Sequence, residues 1–328
     1  MLKNIGKFND IKLAKGLNIQ TFRFARLENY QTARNSQFYA DYWYDLPKGR
    51  ALYKPFSYPH PAYEISNVRV YNEMICQQLL TDLNLPHAHY EPAHEQHFTG
   101  LVSYNMIKQN EVLISLDDFL AKIDIGLDPS ILECRHAVNA YIKRGVKIDK
   151  KKFLLSLYAL SVFDTLTLQT DRNDTNICII HNPEKNEMRL APIFDNEYAF
   201  GALSHFNLFK DEAEFEEIIN DAQKRSVLLG MKYLKRHNPQ KIDENVKNLV
   251  HYAHKNKDMM KVLNHILNNI DIVMAIEKVE NMGYEADDEY KEYIQEVLAY
   301  TTNKFKTELE KINNIENKQT QSDVELEL

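Results

Sequence analysis

The run Asp171-Arg172-Asn173-Asp174-Thr175-Asn176, followed 19 residues after Asn176 by Asp195 within Phe194-Asp195-Asn196, combines carboxylates and an amide at spacings that suit a hard divalent cation. An acid five residues before an asparagine is the arrangement in which the acid handles an attacking hydroxyl and the amide oxygen holds metal during phosphoryl transfer. The later acid supplies a second metal ligand. A strand leaving Asn176, a turn centred between Lys185 and Asn186, and a returning strand would set Asn176 beside Asp195, with Asp171 folded back over the same point. Asp and Asn are also common turn residues, so the loop taken alone reads equally as a solvated turn. What favours chemistry is the strongly apolar run Phe153–Leu168 ahead of the loop and the hairpin that aligns the second acid.

A matching cation lies far upstream. Lys54 sits in the β-rich run Arg50–Phe56, where Leu52 and Phe56 share its face by the period of two. Glu73 falls on a mainly apolar helical stripe with Val70, Cys76 and Leu80. Burying either charge is costly unless it is paired. A Lys54–Glu73 pair meets both needs and aims the ammonium at nucleotide phosphates. A purely structural ion pair, or a lysine reaching out to solvent, fits the same pattern.

These residues need elements to hold them. Gln37–Asp45 and Arg50–Phe56 flank Leu46-Pro47-Lys48-Gly49 and read as a hairpin. Ser66 is placed to cap a helix over Asn67–Leu83, stopped by Asn84-Leu85-Pro86. A further strand is expected near Leu101–Lys108. From Leu116 the pattern turns helical, with helices over Leu116–Ile123, Leu132–Arg144 and Lys150–Leu168. Short strands Ile177–Ile180 and Met188–Ile193 flank the turn His181–Glu187. Helices resume after residue 212 and run to about Ile312. The reading is α+β and bilobal: a β-rich N-lobe with one helix over residues 1–107 and a mainly helical C-lobe over 108–312, with a cleft between them. Residues 313–328 read as a disordered acidic tail.

Composition excludes several alternatives. Of 328 residues only nine are glycine, under half the usual about 7%. None forms a Gly-x-Gly pair, which removes the Rossmann fingerprint and the Walker loop. The net charge of −7 argues against nucleic-acid binding by the chain itself. Three scattered cysteines fit a reduced cytoplasmic protein. No stretch is long and apolar enough for a membrane span, and the N-terminus lacks a secretory h-region. Four histidines in Pro86–His97 match no zinc spacing and read as strand and turn residues. The triple lysine 150–152 reads as a solvated helix start.

The segments ALYKPF, YNEMICQQLLTDLNLP, DTLTLQTDRNDTNICII and LAPIFDN together resemble the HipA-type atypical serine/threonine kinases, in particular their smaller CtkA-like branch. The resemblance spans roughly residues 37–202. It implies a protein-kinase-like fold and an ATP- and magnesium-dependent protein serine/threonine kinase. It assigns Lys54 to phosphates, Glu73 to Lys54, Asp171 to the catalytic carboxylate, Asn176 and Asp195 to Mg2+, and Asp164 to bracing the loop. ATP is expected near Tyr104, Asn105, Met106 and Ile107, with Ser36 against the phosphates and Ser36 or Thr32 open to self-phosphorylation. The family's histidine two residues after the catalytic acid is Asn173 here, and Thr32–Gln37 stands where a glycine-rich loop is expected. The implied partners are ATP, a protein substrate and an antitoxin-like protein, and export without a signal peptide is compatible with the branch. The residues themselves leave open transfer of phosphate or AMP to another acceptor, and a catalytically weak nucleotide-binding module.

Overall fold

On either side of Pro47-Lys48 lie two strands whose aromatic residues, Tyr42, Trp43, Tyr44 and Tyr53, favour pairing. The computed structural model places β1 at Gln20–Thr21, β2 at Tyr42–Leu46 and β3 at Gly49–Pro55, with β2 and β3 antiparallel in the register Leu46 opposite Gly49 to Tyr42 opposite Tyr53. The structure describes residues 20–21, 42–46, 49–55, 66–95, 98–108, 110–123, 131–169, 172, 176–201, 242–284, 286 and 288–326. Thr32, Ser36, Asp171, Asn173, the side chain of Lys54 and the helices expected between 212 and 241 lie outside the described residues.

Helix α1 covers Ser66–Asp82. It ends in a Schellman arrangement: the Leu85 amide donates to Leu80 O (2.9 Å), the Asn84 amide donates to Thr81 O (3.0 Å), and Asn84 takes the left-handed φ of 52°. Pro86 then prevents the helix from resuming. Strands β4 (Tyr90–Glu95) and β5 (Phe98–Tyr104) form a second hairpin. β5 also pairs with β3, completing a five-stranded sheet in the order β1-β4-β5-β3-β2, in which β1 runs parallel to β4.

Strand β6 (Val112–Ser115) leads into α2 (Leu116–Ala121), capped by Ser115 Oγ accepting from the Asp118 amide. α3 (Ile131–Lys143) and α4 (Lys150–Leu166) follow, and Asp149 caps α4 by accepting from the Lys152 amide. Every residue of α4 from Leu157 to Leu166 is buried, as its near-continuous apolar sequence requires. β7 (Cys178–Asn182) and β8 (Glu187–Leu190) complete a three-stranded sheet in the order β6-β7-β8. Beyond them lie α5 (Ile242–His254), α6 (Lys257–Asn269), α7 (Ile272–Asn281) and α8 (Asp288–Leu326). One apolar cluster runs from α1 through α4 to Phe305 of α8. Among the described residues no helix is long and apolar enough to cross a membrane.

Two expectations are corrected. Asn182 pairs with Glu187 and Ile179 with Leu190, so the hairpin loop is the four residues Pro183–Asn186. The turn centre therefore lies between Glu184 and Lys185, one position earlier than expected. Continued to Asn176, this register points to Ile193, and Asp195 lies two residues further along. Side chains alternate with a period of two, so this slip preserves the face. The second correction concerns the end of the last helix: α8 runs past Ile312 to Leu326. Near that boundary Leu309 and Ile312 still pack against the core, and Lys311 pairs with Glu308 at 3.0 Å one turn before it.

Candidate active site

The loop after α4 is organised by Arg172, a residue inside a polar run that gives no outward sign of burial. Its side chain is fully buried. Nε donates to Asp164 Oδ2 at 3.0 Å and Nη2 to Asp164 Oδ1 at 3.1 Å, a bidentate pair between helix α4 and the loop. Nη1 donates to Phe194 O, and Nη2 also donates to Asn196 Oδ1. Asp164 thus braces the loop, the role that the resemblance gave it. Burial pushes the Asp164 carboxyl up, against the pull of the Arg172 guanidinium. Burial pulls Arg172 down, but Asp164, with help from Asp195 and Glu73, holds it above its ordinary value.

Asn196 passes the chain of contacts on. Its amide donates to Glu73 Oε2 at 2.9 Å and its Nδ2 donates to Glu73 Oε1 at 3.2 Å. Glu73 on α1 is only 1% exposed. The network Asp164–Arg172–Asn196–Glu73 therefore links the residue next to Asp171, the residue next to Asp195, and the helix that carries Glu73. Each buried polar group in it has partners, the condition under which such networks stabilise rather than cost. Cys76, one turn beyond Glu73, is also buried, and burial followed by the Glu73 charge raises its thiol well above the ordinary range.

Asp195 itself takes φ 61°, in the left-handed region. Its carbonyl accepts from Gln169 Nε2 at 3.1 Å, and its amide donates to the Tyr90 hydroxyl at 3.2 Å. Asn176 is 2% exposed. A carboxylate and an amide oxygen are donors that suit a hard divalent ion such as Mg2+. Two bulky residues flank the site in the same uncommon conformation: Leu168 at φ 46° and Phe200 at φ 56°. They are tied together, since the Phe200 amide donates to Thr167 O and the Gly201 amide to Leu168 O at 3.1 Å. Strain of this kind costs on the order of 1–3 kcal/mol per residue and persists only where the surroundings enforce it.

The other sequence-selected residues are placed as follows. Lys54 lies in β3 opposite Leu101 of β5. Tyr104 ends β5 opposite Ala51. Asn105 is exposed, and its Oδ1 accepts from the Ile107 amide at 3.2 Å. Met106 and Ile107 pack with Phe194 against Cys178, Ile180 and Ala191 of the β7–β8 hairpin region, so this linker lies over the segment that leads to Asp195. Sequence reasoning missed Asn196 and the central place of Arg172. The only signals for them were their positions directly after the two candidate acids.

No protein-family model matches the chain, and no curated protein matches it either. Solved structures do. The Helicobacter pylori proinflammatory kinase CtkA aligns with a TM-score of 0.57 and 15% identity, covering 84% of this chain and 95% of that one. At that identity the likeness shows the fold alone: this chain shares the fold of CtkA. HipA of Shewanella oneidensis, solved with HipB and operator DNA, aligns over 87% of this chain and 65% of its own at 13% identity and a TM-score of 0.42.

Proposed function

We propose that the protein is an ATP- and Mg2+-dependent phosphotransferase of the HipA-like type, acting as a protein serine/threonine kinase. The observation that carries this reading is the buried network Asp164–Arg172–Asn196–Glu73. It fixes the neighbours of Asp171 and Asp195 to one another and to α1. The kinase fold shared with CtkA supports the same conclusion.

In this proposal the five-stranded sheet and α1 form the N-lobe, the remainder forms the C-lobe, and ATP lies between them. The adenine end meets Tyr104, Asn105 and Met106. Lys54 and Ser36 engage the phosphates. Glu73 orients Lys54 while its carboxylate also holds Asn196. Asn176 and Asp195 would hold Mg2+, which offsets charge on the phosphates when bound. Asp171 accepts a hydrogen bond from the substrate hydroxyl and aims it at the phosphoryl group. The fixed placement of these groups is the main source of rate enhancement, because phosphoryl transfer is largely a matter of positioning and electrostatics. The protein works in the cytoplasm or after export, with an antitoxin-like protein as a partner.

The test is transfer of 32P from labelled ATP into a lysate and into the protein itself, followed by identification of the labelled band. Asp171→Ala and Asp195→Ala are each expected to abolish labelling while circular dichroism and melting stay close to wild type. Unchanged labelling in either variant overturns the assigned roles. Label that appears only in small molecules, or as AMP rather than phosphate, moves the reading to another acceptor or another transferred group. A nucleotide-dependent rise in melting temperature with no transfer at all moves it to a non-catalytic binding module.

A further inference from the structure

The long helix α8 touches each of the three pieces that carry site residues, and it does so through hydroxyl groups. Tyr293 donates to Phe200 O at 2.8 Å. Tyr290, one turn earlier, donates to Asn72 Oδ1, and Asn72 Nδ2 donates in turn to Ala199 O at 3.0 Å and Glu197 O at 3.4 Å. Thr301 donates to Leu166 O at 2.8 Å, at the end of α4 where the loop toward Asp171 begins. All four side chains are buried: Asn72 and Thr301 are fully enclosed, Tyr290 is 3% exposed and Tyr293 is 4%. The Tyr290 ring also stacks on Tyr293 with centroids 5.9 Å apart and meets Tyr71 of α1 edge-on at 6.1 Å.

The carbonyls that receive these bonds flank strained backbone. Phe200 and Leu168 hold positive φ, and Phe200 and Gly201 are hydrogen-bonded to Thr167 and Leu168. Asn72 directly precedes Glu73 on α1. One helix therefore braces the start of the loop, the stretch after Asp195, and the helix bearing Glu73.

We propose that Tyr290 and Tyr293 of α8 are positioning residues. Acting through Asn72 and Phe200, they hold the Asp195 segment and Glu73 at the spacing that phosphoryl transfer needs. This rests on the kinase reading above. It adds that the alignment of the site is set from the C-terminal helix.

The experiment removes one hydroxyl at a time and keeps the ring: Tyr293→Phe, Tyr290→Phe, and Tyr158→Phe as the comparison. Tyr158 donates to Leu249 O at 2.9 Å between α4 and α5, so its variant loses a buried hydroxyl of the same kind away from the site. Expected are a fall in kcat of about tenfold for Tyr293→Phe and Tyr290→Phe, a raised Mg2+ requirement, and a KM for ATP within about twofold of wild type, tenfold in rate corresponding to about 1.4 kcal/mol of transition-state stabilisation. Tyr158→Phe is expected to melt earlier with kcat unchanged. A kcat unaltered in both site-facing variants overturns the proposal, as does an equal fall in Tyr158→Phe.

If the wild-type protein transfers no phosphate, the kinase reading fails, and the positioning claim is then read from amide hydrogen exchange. The Phe200 and Gly201 amides should exchange at least about tenfold faster in Tyr293→Phe than in Tyr158→Phe. Equal protection in the two variants overturns the claim independently of any activity.

Discussion

Arg172 with Asp164, and Arg189 with Glu111, are the same chemical pair set in two surroundings. In the first, both side chains are fully enclosed; in the second, Arg189 is 48% exposed and Glu111 only 4%. Both are bidentate, the outer pair at 2.7 and 2.9 Å. The consequences for the acid are opposite. Burial raises Asp164, whereas the hydrogen bonds from Arg189 lower Glu111 to about 2. The inner pair is held because neither charge has anywhere else to go, and its remaining hydrogen bonds are used to fix the site. The outer pair fastens the Lys108–Glu111 turn to β8 and leaves water to do part of the solvation.

That contrast can be broken most severely at Asp164. Asp164→Ala leaves the Arg172 guanidinium buried without its counter-charge, and a loss of about 3–5 kcal/mol is expected in urea unfolding. Removal of the other partner should cost less at low pH. In Arg172→Met the Asp164 carboxyl loses the charge that opposes its upward shift, so its folded value rises further above the ordinary 3.8. A raised carboxyl favours folding below the unfolded value and loses that contribution as pH rises. The deficit of Arg172→Met should therefore widen with pH from about 4 upward, as followed by melts across a pH series.

Glu111→Gln is the next test, with an expected loss of about 1–2 kcal/mol at neutral pH, because one partner is half in water. Here the sign reverses. A lowered carboxyl contributes stability above its unfolded value of 4.5 and loses it as pH falls toward about 2. The gap between wild type and Glu111→Gln should close over that interval. The smallest effect belongs to Lys278 and Asp82, which join α7 to α1 at 2.6 Å with side chains 38% and 24% exposed. Lys278→Ala should cost under about 1 kcal/mol, and less in high salt.

How much of this was legible depends on which signals are local. The helices α1 to α4 could be drawn from apolar spacing, whereas the Asp149 cap on α4 emerged only from the structure. The Pro47-Lys48 turn marked its hairpin. Glu73 stood out because an acid on an apolar stripe needs a partner. That the partner would include Asn196, 123 residues away, is a fact of packing that no spacing rule contains. Arg172 was hidden for a different reason: its neighbours in sequence are polar, and its burial comes from α4 and the Phe194–Asn196 turn. The β7–β8 register was off by one turn position because Asn186 accepts the left-handed φ of 52°, which closes a four-residue loop at a place composition alone does not mark.

Helix α1 has no solvent face from Val70 to Gln78, a stretch that includes Asn72, Glu73, Gln77 and Gln78. Gln77 is tied at both ends of its amide to the Tyr90 backbone, and His265 bonds Leu83 O at 3.0 Å just beyond the helix. Where a helix in this position lies on a protein's surface, swinging it outward is a ready means of control. Here an outward swing would flood a dry interior and strand several amides at once. The helix is thus better suited to serve as a fixed axle than as a lever, and control of the protein must come from parts that can move without uncovering it.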